Sequence, residues 1–396
     1  MSDVEVAPGF FASNGSLQIF RCRPDPRACI GGVPGGTCAA GREGLACGRC
    51  MEGFRIGGEG ACVPCGQDGS SEAVFYCCLV LALLAVLATY SVVDRFSKSR
   101  PSHAFLLVGL MLSLTVTLVQ QMSIIGRFND VRWVEPMVTL LRATQFILFD
   151  ADLLHVNCVV RTSPLWKYFM QISGIAVLMV VVFISHSLFR CLHCRLATSS
   201  HSRALAASVG TIFMVAYTSV VAAAVGPLQC VENPGGQWTA QAYPTVVCWE
   251  TSDHATMVSV SALAVQAPIV FFALCVRAVL VLPRRMSEGN TAFLETYRFL
   301  FFRYRPQAYW YPLVSMLRGF LVALLPILPR TPLQIIAMEL LLIASLAVVV
   351  GSRPWRLEYA CILDCFFTLS ILFVCAHPFM QRRSLPKSSQ LSLSSV

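Results

Sequence analysis

The sequence predicts an all-α polytopic membrane bundle of about eight transmembrane helices behind a small disulfide-rich N-terminal domain. Three observations carry that expectation. Of 396 residues, 56% are hydrophobic and only 13% charged, about half the charged share of an ordinary soluble protein. Apolar runs long enough to cross a bilayer recur along most of the chain, and seven cysteines crowd residues 22–65. A soluble fold of this length has nowhere to hide so much apolar surface, whereas lipid accepts it.

The front domain, residues 1–73, holds Cys22, Cys29, Cys38, Cys47, Cys50, Cys62 and Cys65 among Gly- and Pro-rich stretches. About 45 residues of that kind cannot build a self-sufficient core, so staples or a metal must hold them. Cys47-x2-Cys50 followed by Cys62-x2-Cys65 has zinc-ribbon-like spacing. The three earlier cysteines, and the external side implied by the topology below, favour disulfides; no metal or other cofactor is expected. Seven is odd, so one thiol is free, pairs with another segment or has lost its partner. Six cysteines alone allow 15 connectivities, and the sequence does not choose among them. Asn14-Gly15-Ser16 is a glycosylation sequon in this domain.

The bundle is expected over residues 74–377. Runs of ~20 apolar residues, enough for ~30 Å of hydrocarbon, lie at 74–93, 104–125, 166–188, 204–225, 255–281, 311–328, 333–351 and 359–376. A further stretch, 133–160, is apolar and helical in period but contains Arg142, Asp150, Asp152 and His155. Charge facing lipid is costly, so it reads as an interfacial or re-entrant helix, or else as a ninth span. Asp152 and His155 share a helix face. With Asp150 they form a candidate external polar site, weighed against an amphipathic helix wetting its polar side.

Charge sets the orientation. The formal charge is +9, yet residues 1–73 carry a net −2, so the excess sits behind them, mostly between apolar runs. That is the footprint of membrane topology rather than of a nucleic-acid-binding face. With 133–160 not crossing and the N-terminus outside, loops 94–103, 189–203, 282–310 and 352–358 face the cytosol. They carry thirteen Arg or Lys against nine in the outside connections and tail. The positive-inside bias thus favours eight spans over nine, at the plasma membrane, although Arg382, Arg383 and Lys387 then fall on the wrong side. Those three lie in a tail, 378–396, expected to be disordered. Loop 226–253 holds Cys230 and Cys248 and no Arg or Lys. It falls outside, where a disulfide closing it stabilises by about 3 kcal/mol. Met1–Phe20 lacks the basic and apolar regions of a signal peptide, so the chain is expected to be a fragment of something longer.

Several motifs carry a resemblance. Pro8-Gly9-Phe10, Phe20-Arg21-Cys22, Ala28-Cys29-Ile30-Gly31-Gly32, Cys38 through Gly44, Cys47-Gly48-Arg49-Cys50, Gly53-Phe54 and Cys62-x2-Cys65 form one set. This set resembles the EGF-like or ephrin-receptor-like cysteine-rich repeat of multi-pass membrane proteins in algae and other protists. Cys248-Trp249 with His254, Tyr297-Arg298-Phe299-Leu300, Tyr304-Arg305-Pro306, Tyr309-Trp310-Tyr311 and Arg353-Pro354-Trp355 are similar to the membrane region of the same proteins. That region is distantly similar to transient-receptor-potential-like proteins. The resemblance implies a surface membrane protein, a sensor or channel, and brings no established activity.

Ionisable residues inside spans are the best functional pointers. Arg318 lies seven residues into its span and Asp364 five, depths of about 10 and 8 Å from one side of the membrane. Glu339 is nearer the middle of the helix between them. An Arg318–Asp364 or Arg318–Glu339 pair gating a pathway is the sharp expectation; a purely structural pair, or a snorkelling Arg318, is the bland one. Cys191, His193, Cys194 and His201 have the chemistry for zinc, though juxtamembrane cysteines more often carry palmitate. Tyr304, Tyr309, Trp310 and Tyr311 beside Arg303 and Arg305 read as an interfacial aromatic belt. There is no phosphate loop, HExxH or Ser/His/Asp set, and the expected cytosolic loops are all under thirty residues, so no enzyme is expected. Two functions remain open: a channel-like or transporter-like protein with a sensing ectodomain, and a receptor or adhesion protein without a pore. The expected partners are the lipid bilayer and an extracellular ligand or ion, with no nucleic acid.

Overall fold

A helix in hydrocarbon must satisfy its backbone internally and can turn apolar side chains outward; the long helices of this chain do both. The structure, a computed structural model, describes residues 5–13, 18–23, 26–56, 61–65, 103–128, 137–145, 163–192 and 198–384. The helices are α1 His103–Ile125, α2 Met137–Gln145, α3 Pro164–Leu192, α4 Thr198–Ala224, α5 Ser252–Ser287, α6 Thr291–Thr296, α7 Arg298–Phe301, α8 Tyr311–Leu324, α9 Thr331–Ser352 and α10 Glu358–Ser384.

Among the described residues six stretches are long and apolar enough to cross a membrane: Leu107–Ile125, Pro164–Val181, Leu205–Leu228, Ser252–Ser287, Thr331–Ser352 and Glu358–Ala376. They coincide with six of the eight expected runs, and the chain is an integral, multi-pass membrane protein. The expected run 311–328 yields Tyr311–Ile327, which is apolar but shorter. The run 74–93 lies outside the described residues. Among the described residues, then, six of the eight expected spans are seen. Within 133–160 the described part is α2, nine residues long and so only about 14 Å. Asp150, Asp152 and His155 lie outside the described residues, as does Asn14. In the other direction, α10 continues to Ser384, so the first part of the expected disordered tail is helical. Extending an existing helix needs no new nucleus, and Phe379 and Met380 prolong its apolar composition.

The last helix shows how these spans are built. Ile362, Phe366, Leu369 and Phe373, at i, i+4, i+7 and i+11, are exposed, while Asp364, Thr368, Ile371 and Cys375 are buried. An apolar outside around a partly polar inside suits a helix bathed in lipid, not water.

The described residues fall into two compact units, one holding the chain up to Cys65 with 163–192 and 220–270, the other holding 103–145, 198–219 and 271–384. In the first, three antiparallel hairpins follow one another: β1 Phe10–Ala12 with β2 Ile19–Arg21, β3 Arg42–Glu43 with β4 Arg49–Cys50, and β5 Phe54–Ile56 with β6 Cys62–Pro64. Strands this short do not hold themselves together. Cys22–Cys29, Cys38–Cys47 and Cys50–Cys62 staple them in sequential order. Cys65 is disulfide-bonded too, and since the other six pair among themselves its partner lies beyond this cluster. The sulfurs of Cys47 and Cys50 go to different partners, so the zinc-ribbon spacing is not used as one.

The same unit contains the connection between α4 and α5. Its hairpin, β7 Cys230–Glu232 with β8 Trp238–Ala240, is closed by Cys230–Cys248. The cysteine-rich hairpins rest on it. Val247 packs against their core of Phe20, Cys22, Ala28, Cys29, Ala46 and Cys47. The Arg21 amide donates to Asn233 Oδ1 at 3.2 Å. Gly48 sits where a Cβ would come within 2.9 Å of Pro244. Beneath, the hydroxyls of Tyr168 and Ser261 donate to the carbonyl of Ala224, at 3.1 and 2.6 Å, and so cap the last residue of α4.

Replacing Cys230 and Cys248 together by serine opens an 18-residue closure and is expected to cost about 3 kcal/mol. Thermal melting of the full chain checks this; an unchanged transition would show that the loop gains nothing from its staple.

Candidate functional site

Charge inside the second unit is concentrated on α8 and α10. Pro312 occupies the first turn of α8, where its missing N–H leaves no backbone acceptor unpaired. Two turns on, Arg318 is 6% exposed; Asp364 on α10 is 3% exposed. Arg318 Nη1 stands 3.7 Å from Asp364 Oδ1 and donates to Ser345 Oγ of α9 at 2.9 Å. Asp364 Oδ2 accepts from Trp355 Nε1 at 2.9 Å and from the Tyr311 hydroxyl at 3.4 Å. One carboxylate therefore gathers α8, α10 and the connection between α9 and α10. A guanidinium this buried does not snorkel. Glu339, half-buried on α9, is not part of the pair.

Trp355 reaches the carboxylate because its segment is pinned. Tyr304 and Trp355 form an antiparallel bridge, with Arg305 N–H donating to Pro354 O at 2.8 Å and Arg356 N–H to Arg303 O at 3.1 Å. The Tyr304 and Trp355 rings lie 4.9 Å apart and pack with Tyr311, Leu110 and Leu114. The expected aromatic belt is thus corrected in part: Tyr304 and Tyr311 are core residues, while Trp310 is 37% exposed. Burial pushes the Tyr304 phenol up to about 12, so it is neutral at physiological pH.

Beside the pair lies a cavity of about 50 Å³, lined by Ser113, Thr117 and Gln121 of α1 and by Arg303, Arg318 and Gly319 among others. Gly319 is required there, since a Cβ would collide with the Thr218 hydroxyl of α4. Gln120 ties α1 to α4 by donating to Val215 O at 2.8 Å and Ser219 Oγ at 3.0 Å. Arg303 Nη1 donates to Ser113 Oγ at 2.7 Å. Two buried donors at the cavity, Arg318 Nε and Gln121 Nε2, have no hydrogen-bond partner. The polar stripe of α1 had a legible signal that the reading above passed over. Ser113, Thr117, Gln120 and Gln121 recur at i, i+4, i+7 and i+8 on an otherwise apolar helix.

In the first unit, His254 is fully buried against the Cys230–Cys248 disulfide. Its Nδ1 accepts from Trp249 N–H at 3.1 Å, which leaves the ring proton on Nε2, 3.1 Å from Pro227 O and 3.7 Å from Cys230 Sγ. Cys230, Cys248 and His254 have metal-ligating proximity, but the disulfide occupies both sulfurs. Of the other expected set, Cys191 and His201 lie on helices with undescribed side chains, and His193 and Cys194 lie outside the described residues. Cys361 and Cys365 are free thiols. Comparison with family models, with curated proteins and with solved structures finds no match to this chain.

Breaking a buried pair strands the remaining charge. Arg318→Ala and Asp364→Ala are each expected to cost about 3–5 kcal/mol, and the double substitution clearly less than their sum. A double-mutant cycle on thermal melting decides the point: additive losses would mean the two groups do not act as a pair.

Proposed function

We propose that this is a surface membrane protein of channel or transporter type, with eight spans, its cysteine-rich domain outside, and a permeation or substrate pathway that passes the Arg318–Asp364 pair. The observation that carries the reading is the polar cavity beside that pair, within helices that otherwise present apolar faces. A buried ion pair is a poor way to stabilise a bundle, since apolar residues of like volume often do as well. Charges held inside a membrane at such expense usually lie on pathways.

Two pairings within the fold support the span count. Tyr304 bridges Trp355, so residues 304 and 355 share one side of the membrane. With Thr331–Ser352 read as crossing between them, this supports a crossing by Tyr311–Ile327 as well. Its α-helix of 14 residues plus a 3-10 turn reaches about 27 Å, close to the ~30 Å of the hydrocarbon core. Likewise the cysteine-rich hairpins rest on the α4–α5 connection, and Tyr243 of that connection donates to Gln171 near the start of α3. Residues 65 and 163 then share a side. With Leu107–Ile125 crossing between them, this supports one further crossing, which the eight-span proposal assigns to the apolar run 74–93. The disulfides support an oxidising exterior for this face.

The second reading, a receptor without a pore, is favoured by the seating of the cysteine-rich hairpins on the α4–α5 connection. Ligand capture there would reach the membrane helices through α4 and α5 directly.

Two measurements test the proposal. An impermeant maleimide is expected to label Glu232→Cys and Arg330→Cys from outside intact cells, and Glu288→Cys only after permeabilisation; external labelling of Glu288→Cys would overturn the topology. Purified full-length protein in liposomes is expected to carry ion flux that Arg318→Lys alters. Folded protein in a silent bilayer would favour the receptor.

A further inference from the structure

We infer that the cavity beside Arg318 is a binding site for a small monovalent inorganic anion, of which chloride is the natural probe. The inference deepens the transport reading, since it assigns a substrate or regulator class to the same site.

Consider what the cavity offers a ligand. Arg318 Nε and Gln121 Nε2 are both buried, both belong to lining residues, and both lack a partner. Each is an N–H donor with no acceptor supplied by the fold. Arg303, a third lining residue, gives one N–H to Ser113 Oγ. Among the described residues Arg303 has no carboxylate within ion-pair distance; the carboxylates that do form ion pairs in this unit pair with other cations. Ser113 Oγ accepts from Arg303 and keeps its own proton free to turn inward, whereas the Thr117 hydroxyl donates to the Ser113 carbonyl.

The acceptor side is thin. Asp364, the nearest carboxylate, already receives Trp355 Nε1–H, the Tyr311 hydroxyl and Arg318 Nη1. Two guanidiniums against one committed carboxylate leave a net charge of about +1 among largely buried side chains, which is expensive unless an anion neutralises it. Water can fill the space and satisfy donors but cannot cancel that charge. A metal cation meets two guanidiniums and no free carboxylate.

Size narrows the class. A cavity of about 50 Å³ holds a few water-sized probes at ~10–15 Å³ each. A halide or nitrate with a water or two fits that space. The Gln121 amide is the discriminating donor, because it is neutral and its loss leaves the Arg318–Asp364 pair in place.

The test is thermal melting of the full chain in nanodiscs, in sodium chloride and in sodium gluconate of matched ionic strength. Chloride at about ten times its dissociation constant is expected to raise the transition of the native chain by about 2 °C over gluconate. Gln121→Leu is expected to weaken chloride binding about tenfold or more and so erase most of that difference while still melting cooperatively. Equal transitions for the native chain in the two salts would overturn the inference, as would a chloride shift retained in full by Gln121→Leu. The liposome measurement separates this from the transport reading. Chloride stabilisation in a silent bilayer keeps the anion site and overturns transport, and flux without chloride stabilisation does the reverse.

Discussion

The carboxylate of Asp364 sits where hydrocarbon would make an unpartnered charge more costly than a domain's whole net stability, and much of the second unit is arranged around that fact. Arg318 must come from α8 at the matching depth. The side of α10 that carries Asp364 must face inward, which sends Ile362, Phe366 and Phe373 outward. The second oxygen needs its own donors, and they come from Tyr311 in the first turn of α8 and Trp355 in the α9–α10 connection. Drawing Trp355 inward requires the chain to reverse sharply after α9. Arg353 makes that reversal in the left-handed region, at φ 41°, a conformation that a side-chain-bearing residue adopts at some cost. The returning segment then pairs with residues 303–305.

The first unit solves a different problem with different means. Its hairpins have two or three residues per strand, too few for cooperative pairing, and their core is largely the half-cystines themselves. Sequential disulfides restrict the unfolded chain and supply apolar bulk at once. The α4–α5 connection uses the same device with Cys230–Cys248 and adds a buried imidazole. His254 accepts from the amide of Trp249, a residue held at φ 68°, so the ring stabilises a backbone turn that would otherwise be strained.

Much of this could be read from the sequence because membrane insertion acts on composition over ~20-residue windows and needs no knowledge of tertiary contacts. The described spans fall where the apolar runs place them. Arg318 and Asp364 could be matched because both were counted inward from helix ends on one side of the membrane, and depth is a property of sequence. Their other partners were not legible. Ser345, Trp355 and Tyr311 are brought in by rotation of α9 and by the bridge between 304 and 355, and nothing local encodes a two-residue pairing across 50 positions. Glu339 had the right chemistry and nearly the right depth but lies on a different face of α9. Disulfide use was legible from spacing and topology, whereas connectivity was not, since spacing constrains loop length and not partner choice. The stripe of Ser113, Thr117, Gln120 and Gln121 was legible in principle and was masked by the high average hydropathy of its helix.

The arithmetic of donors explains why the pair alone does not account for the site. A guanidinium carries five N–H donors and a carboxylate about four lone-pair sites, so an isolated Arg–Asp pair can come close to saturating itself. Here the carboxylate spends part of its capacity on Trp355 and Tyr311, and Arg318 turns one nitrogen toward Ser345. Its Nε is left over, as is the amide nitrogen of Gln121, another residue lining the same cavity. If pinning helices were the only demand, a neutral hydrogen bond or a packed apolar contact would meet it without desolvating a charge. The surplus lies on the donor side, on residues that line a cavity, and the proposed anion would answer it.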